Sequence, residues 1–327
     1  MAQAAQRYYP CIDLAKFVFA FIIIGIHSSV FADYAQLDKL FSFISRFAVP
    51  FFFTASGFLY FQKSVTRALW LHYIKRIGIL YIVFSLLYFP ISFFIVRKLS
   101  IEEYFFRTLV RGFHHLWYLY ALILGISILS LLHHWVRSKK YIVLLAIIFY
   151  VIGWMLSTFF PIFHSIPILS QIQSSIQIRD VPFRTLCEAI PYLTIGMILA
   201  NLKNPLPLPH LIAGTTLFSV TLLAEMWFAM KIHTSHTVMW ISLLPCLFFV
   251  FQWCMQNWFT HHDMSFFRKT SVFIYLIHPA IIAFLTLFIP QQGLLLFGST
   301  SLIAFLLSFL ILKASRRKYG HFLTYLM

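Results

Sequence analysis

The chain has 327 residues, of which 61% are hydrophobic and only 10% charged. A soluble domain of that length would have to show far more polar surface to water, so lipid is the solvent for most of this sequence. Its formal net charge of +16 would suggest nucleic acid in a soluble protein, but Lys and Arg fall mostly in short segments between apolar runs, where they report topology.

Apolar runs long enough to cross a hydrocarbon core of about 30 Å occur at about 12–32, 41–61, 77–96, 116–135, 141–160, 186–202, 209–230, 237–256, 271–289 and 294–313. They predict an all-α, polytopic transmembrane bundle of about ten helices. Continuous runs are not the short alternating strands of a barrel, and an open sheet leaves backbone groups unsatisfied in lipid. Pro90, Pro191 and Pro245 are expected to kink their helices. Basic residues follow helix two (Lys63, Arg67, Lys75, Arg76), helix four (Arg137, Lys139, Lys140) and helix eight (Arg268, Lys269), and close the chain (Lys313, Arg316, Arg317, Lys318). They outweigh Arg97, Lys98, Arg107 and Arg111 between helices three and four, where Glu102 and Glu103 accompany them, so both termini are expected on the cytoplasmic side. Two outer loops, at about 97–115 and 161–185, are long enough to gather substrate contacts. The proline-rich stretch from Asn204 to Pro209 reads as a stiff connector, and a single membrane domain over 1–327 with no appended soluble domain is the expected organisation. Cys11, Cys187, Cys246 and Cys254 are scattered without metal or disulfide spacing.

Chemistry-bearing residues begin in helix one. Asp13, Lys16 and His27 interrupt an apolar segment, which argues against a cleaved signal peptide. At about 100° per residue Lys16 and His27 differ by only about 20° around the axis, and Asp13 lies about 40° to the other side. The three form one stripe that must face protein or a watery cavity, with about 16 Å between Lys16 and His27. Such a stripe could hold the two ends of a long donor, with His27 as a general base. It also fits an interfacial Asp13–Lys16 pair with a snorkelling lysine and a core histidine.

Helix two carries Pro50 to Phe58, whose small residues suit close backbone approach. A nucleophilic Ser56 paired with His278 would need glycine two residues earlier, where Thr54 stands, so packing is the preferred role. Lys75 and Arg76 serve either as topology anchors or as a phosphate clamp. His114, His115 and Trp117 suit an interfacial belt and equally suit sugar stacking and hydroxyl binding. His278 is a further intramembrane ionisable group, of a kind more often structural than catalytic. His133, His134, His261 and His262 read as solvated, and no metal site is expected.

In combination these pieces resemble one family along nearly the whole chain, the acyltransferase-three family of integral membrane O-acyltransferases. Ile12-Asp13-Leu14-Ala15-Lys16, followed after ten residues by His27, is similar to the family's helix-one pattern. Val49 to Phe58, Lys75-Arg76, His115-Leu116-Trp117-Tyr118 and Tyr275-Leu276-Ile277-His278 resemble later family signatures in the same order. Lys16 stands where the family usually has arginine, and Tyr73 takes the first place of an arginine pair, leaving Arg76. In length the chain looks most like the members that acetylate enterobacterial common antigen.

The resemblance implies an O-acetyltransferase of the cell inner membrane that uses acetyl-CoA as co-substrate and binds no cofactor. Lys16, Lys75 and Arg76 would meet the donor phosphates. His27 and Asp13 would be the catalytic groups, with His27 either a general base or a transient acyl carrier. His115, Trp117, Ser56 and His278 would bind the acceptor or hold the structure. The implied acceptor is an envelope glycan or lipid-linked saccharide, such as a surface polysaccharide, O-antigen or common antigen. The rival reading is a proton-coupled transporter or exporter of a glycan or small molecule, in which the same stripe forms a pathway. Internal repeats would favour that rival, and the sequence shows none.

Overall fold

The computed structural model describes residues 7–95, 100, 102, 115–136, 138–175, 181–232, 239–256, 258 and 262–315. Arg97, Lys98, Glu103, Arg107, Arg111, His114, Arg137, His261, Arg316, Arg317 and Lys318 lie outside the described residues. The described chain forms α1 (Pro10–His27), α2 (Ala35–Ser45), α3 (Ala48–Phe61), α4 (Arg67–Ile95), α5 (Trp117–Trp135) and α6 (Lys139–Leu156). It continues through α7 (Val181–Ala200), α8 (Leu208–Lys231), α9 (Leu243–Cys254), α10 (Ser265–Leu285) and α11 (Leu294–Ser315). Among the described residues there are nine helical spans long and apolar enough to cross a membrane, with α2 and α3 counted together, and α9 is a shorter apolar helix. The molecule is a polytopic helical bundle, as lipid requires when every backbone group must be satisfied internally.

Three boundaries differ from the apolar pattern. Helix α1 stops at His27 rather than near residue 32, because Ser29 takes a left-handed conformation at φ +46°. Val30 N then donates to Gly25 O and Ser29 N to Ile26 O, which closes the helix end in a Schellman arrangement. The second span starts earlier than expected, at Ala35, and its helix is interrupted at Arg46 and Phe47. Pro245 sits in the first turn of α9, where no intrahelical N–H is lost, so it starts a helix instead of kinking one. Pro191 opens the α-helical part of α7 directly after a π-helical turn at Thr185–Ala189, and Pro90 lies inside α4.

The chain divides into two compact units interleaved in sequence. The first comprises Met1–Tyr8, Val49–Leu71 and Ala121–Gln256. Its centre is a backbone-to-backbone crossing of α3 and α7. A Cβ on Gly57 would collide with the Leu193 carbonyl, and one on Gly196 with the Thr54 carbonyl and Phe58 nitrogen. Thr54 Oγ1 donates to Tyr192 O at 3.2 Å across the same crossing. Close approach of this kind drives helix association in lipid, where burial of apolar surface contributes little. In the same unit the connector before α8 is pinned by two glutamines at and just past the end of α9: Leu206 N donates to Gln252 Oε1 at 3.0 Å and Gln256 Nε2 to Leu206 O at 3.3 Å.

The second unit comprises Tyr9–Ala48, His72–Tyr120 and Asn257–Met327. In it α1 lies along α10 and α11, with the Phe17 ring edge-on to Phe267 at 4.9 Å and to Phe305 at 6.2 Å. Asp13 meets Arg268 and, further along both helices, His27 meets His278. Two contacts in the same order make α1 and α10 parallel. Helix α4 runs the same way, since Arg76 lies within electrostatic reach of Lys16 while Tyr88 reaches Leu276. A chain that crosses once per apolar helix returns to this direction at α10 only if α9 counts as a crossing.

The glycine crossing yields a direct test. Gly196→Leu should lower the thermal unfolding midpoint of the detergent-solubilised protein by an overpacking cost of about 3 kcal/mol or more. Gly78→Ala and Gly298→Ala, where an added Cβ meets nothing within 4 Å, should leave it unchanged or slightly raised.

Candidate functional site

The second unit carries polar groups at two separated levels. At the first, Asp13 is 3% exposed in α1 and its Oδ2 stands 3.6 Å from Arg268 Nη1 of α10. A buried carboxylate in a membrane helix must be paired, because an isolated one costs several kcal/mol. Lys16, one turn on, is half-buried and lies within electrostatic reach of Asp13, Arg268 and Arg76. Three cations from three parallel helices therefore meet at this level, with one carboxylate among them. The surplus positive charge, with two guanidinium forks in it, is suited to an anion of phosphate type. Lys75 is exposed and does not join this group among the described residues.

At the second level the geometry follows from Pro279 inside α10. Proline has no N–H, so the Tyr275 carbonyl four residues earlier loses its helical donor. His278 fills the gap with its own side chain, Nδ1 lying 2.8 Å from Tyr275 O and 3.2 Å from Ile274 O. Both partners are carbonyl acceptors, so Nδ1 carries the proton and Nε2 holds a lone pair. The next turn is opened and bridged by Tyr88 of α4, whose hydroxyl donates to Leu276 O at 2.7 Å and accepts from Ala280 N at 3.3 Å. The Tyr275 hydroxyl donates to the backbone carbonyl of His115, which ties the start of α5 to the same place.

Three imidazoles converge there. His278 is fully buried, its ring centroid 5.2 Å from that of His27 and 5.4 Å from that of His115. His115 is also buried, packed edge-on against Tyr88 at 5.1 Å and Tyr275 at 5.2 Å. His27, the last residue of α1, is exposed. Ser28 O accepts from Gly293 N at 2.9 Å, which holds the end of α1 against the start of α11, and Gly293 adopts φ +100° there.

The sequence-predicted residues thus separate into groups. Lys16 and Arg76 share the cationic level with Asp13, and His27, His115 and His278 share the other. Asp13 lies fourteen residues before His27, about 21 Å along the helix, and is engaged by Arg268. It does not orient His27, and its place is in the cationic cluster. Trp117 is half-buried at the start of α5, and Ser56 belongs to the first unit, next to Gly57 in α3.

Two participants escape a reading of the sequence. Arg268 looks like one more topology residue beside Lys269, and Tyr88 like one aromatic among many. The signal for Tyr88 is Pro279 itself, since an intramembrane proline predicts freed carbonyls that need a donor. A third polar cluster, in the first unit, is also invisible in the apolar pattern. Glu225 of α8 accepts from Trp154 Nε1 at 2.8 Å, Ile241 N at 2.7 Å and Ser242 N at 2.9 Å. Its carboxylate thereby satisfies the amides that open α9, which is a capping role.

A family model described as an acyltransferase domain matches residues 9–313. An amino-acid racemase of Enterococcus faecalis is 28% identical over 77% of this chain and 36% of its own length. A second amino-acid racemase of that organism is 24% identical over 94% of this chain and 46% of its own. A serine/alanine racemase of Enterococcus gallinarum is 25% identical over 83% of this chain and 40% of its own. The chain therefore spans less than half the length of these curated relatives. No solved structure matches it. The match from residue 9 to residue 313 takes in both levels of the site and nearly every described helix, and the chain belongs to the acyltransferase-three family of membrane acyltransferases.

Proposed function

We propose that this protein is a membrane O-acetyltransferase that carries an acetyl group from cytoplasmic acetyl-CoA to a hydroxyl of an envelope glycan at the cell inner membrane. The observation that carries the reading is the two-level site along α1, cationic at Lys16, Arg76 and Arg268 and histidine-lined at His27. Coenzyme A is a donor of matching form, with phosphates at one end and a thioester at the tip of a long arm. The distribution of basic loops supports a cytoplasmic cationic level and an outward-facing His27. The racemase activity named for the relatives is not part of this reading, because the chain spans under half of each of them.

In this scheme the donor phosphates rest among the three cations, and the pantetheine arm follows the stripe of α1 to His27. The His27 lone pair takes the proton of an acceptor hydroxyl as its oxygen attacks the thioester carbonyl carbon. The carbon–sulfur bond breaks, and the proton passes from His27 to the departing sulfur. In the acyl-enzyme variant the His27 nitrogen attacks the thioester carbonyl carbon first, the carbon–sulfur bond breaks and coenzyme A leaves as its thiolate; the acceptor oxygen then displaces the imidazole from the acetyl carbon, and its proton goes to the thiolate. In this reading His115 and Trp117 position the acceptor, and positioning of two large substrates is worth several kcal/mol.

Deletion of the protein should remove O-acetyl groups from envelope polysaccharide, measured by mass spectrometry. Wild type should restore them, and His27→Ala at matched membrane abundance should leave transfer about 10²-fold lower or less. Unchanged acetylation in the deletion strain would put the transporter reading first. In isolated membranes, Arg76→Gln should raise KM for acetyl-CoA about ten-fold, or about 1.4 kcal/mol of donor binding, with kcat within about two-fold. An unchanged KM would remove Arg76 from the donor site.

A further inference from the structure

The acetyltransfer reading leaves unexplained why a second imidazole is buried directly beside His27. We propose that His278 is the positioning residue for His27, its Nε2 lone pair accepting the N–H of the His27 ring and so turning the other His27 nitrogen toward the acceptor hydroxyl. This inference rests on the acetyltransfer reading and adds a named role at the same site.

The geometry supports it in three respects. The His278 ring is anchored on one side only, through Nδ1 to the carbonyls of Tyr275 and Ile274, which sets its tautomer. Its Nε2 is buried and has no hydrogen-bond partner among the described residues. A buried acceptor left without a donor costs about 1–3 kcal/mol, so such an atom calls for an explanation. Third, the His27 and His278 centroids are 5.2 Å apart with the rings tilted by 42°. Two imidazoles sharing one N–H to N bond have centroids about 5 Å apart, so a small rotation of the His27 ring closes the bond. The other imidazole, His115, stands T-shaped to His278, an edge-to-face contact that does not direct an N–H along the ring plane.

The two rings also differ in the required way. His27 is exposed, where an acceptor hydroxyl can reach it, and His278 is fully buried. When His27 takes the hydroxyl proton it becomes an imidazolium, and the His278 lone pair stabilises that charge without itself changing protonation. The proton then leaves with the sulfur of coenzyme A, so the pair returns to its starting state. Among the described residues the titratable groups around His278 are His27 of α1, Tyr88 of α4, His115 before α5 and Tyr275 of α10, with Asp33 beyond the end of α1 near Gly293.

Two substitutions separate this role from simple packing. Asparagine places its amide near the position of Nδ1, so His278→Asn keeps the bond to the Tyr275 carbonyl and loses the acceptor for His27. Glutamine places its amide oxygen near the position of Nε2, so His278→Gln keeps that acceptor. In membranes assayed for acetyl transfer from acetyl-CoA, His278→Asn should lower kcat about ten-fold or more with KM for acetyl-CoA unchanged. The acid limb of its pH–rate profile should move about one unit to lower pH, because the imidazolium has lost its acceptor. His278→Gln should recover most of the rate and the position of that limb. Asparagine performing as well as or better than glutamine, with the limb unmoved, would overturn the proposal.

Nitrogen NMR of histidine-labelled wild-type protein in detergent gives a second measurement that needs no variant to fold. The expected His278 signal is that of a ring protonated at Nδ1 and bare at Nε2, and the opposite tautomer would overturn the proposal as well. If wild type transfers no acetyl group, the acetyltransfer reading falls by itself, and the tautomer measurement still decides the placement of His278.

Discussion

The second unit depends on the pairing of α1 with α10 in a single register. In lipid the Asp13 carboxylate has no water to turn to, and Arg268 is the cation that meets it. That pair locks the beginning of both helices. From it, about 21 Å of α1 leads to His27 and about 15 Å of α10 leads to His278. The long arginine side chain takes up much of the difference, because its guanidinium can reach well beyond the level of its own backbone. A slip of either helix by one turn, about 5.4 Å, would part the imidazoles while also stranding a buried charge. The ion pair is thus remote from the proposed chemistry and still determines it.

A second device works at the other end. Pro279 opens the backbone of α10, and the freed carbonyls are satisfied by His278 Nδ1 and the Tyr88 hydroxyl. A helix break in a membrane is tolerated only when some group supplies the missing donor. Here that obligation sets the orientation of one imidazole and fastens α4 to α10. The left-handed Ser29, which ends α1 directly after His27, costs about 1 kcal/mol relative to glycine. Backbone irregularity on both neighbouring helices is therefore concentrated around the histidines, as expected where a structure gives up regularity to aim side chains.

These features explain how much could be read from sequence. The ten apolar segments were legible because hydrocarbon thickness sets one length scale and composition reports it directly. The stripe of Asp13, Lys16 and His27 was legible because helical periodicity puts residues three and eleven apart near one face. Partnership was not legible. The stripe groups Asp13 with His27 as one catalytic set, yet Asp13 pairs with Arg268, a residue 255 positions away whose identity as a flanking basic residue conceals it. Boundaries failed for a different reason. Hydropathy carries no information on backbone conformation, so the run continuing to residue 32 hid the turn at Ser29, and the apolar stretch around Arg46 hid the interruption between α2 and α3.

The first unit shows the same physics applied to a different end. Glu225 is buried in α8 as thoroughly as many catalytic carboxylates, but its oxygens are occupied by two backbone amides and an indole N–H. A carboxylate so engaged is spent on opening α9, an apolar helix of only 12 residues. His278 is the contrasting case, since one of its nitrogens is engaged by its own helix and the other is bare among the described residues. Burial of an ionisable group in a membrane protein is therefore not by itself a sign of function. What distinguishes the two is whether the structure that required the group to be buried has also used all of its hydrogen-bonding capacity. By that criterion the residual capacity of the described site lies beside His27, at the end of α1 remote from the cations.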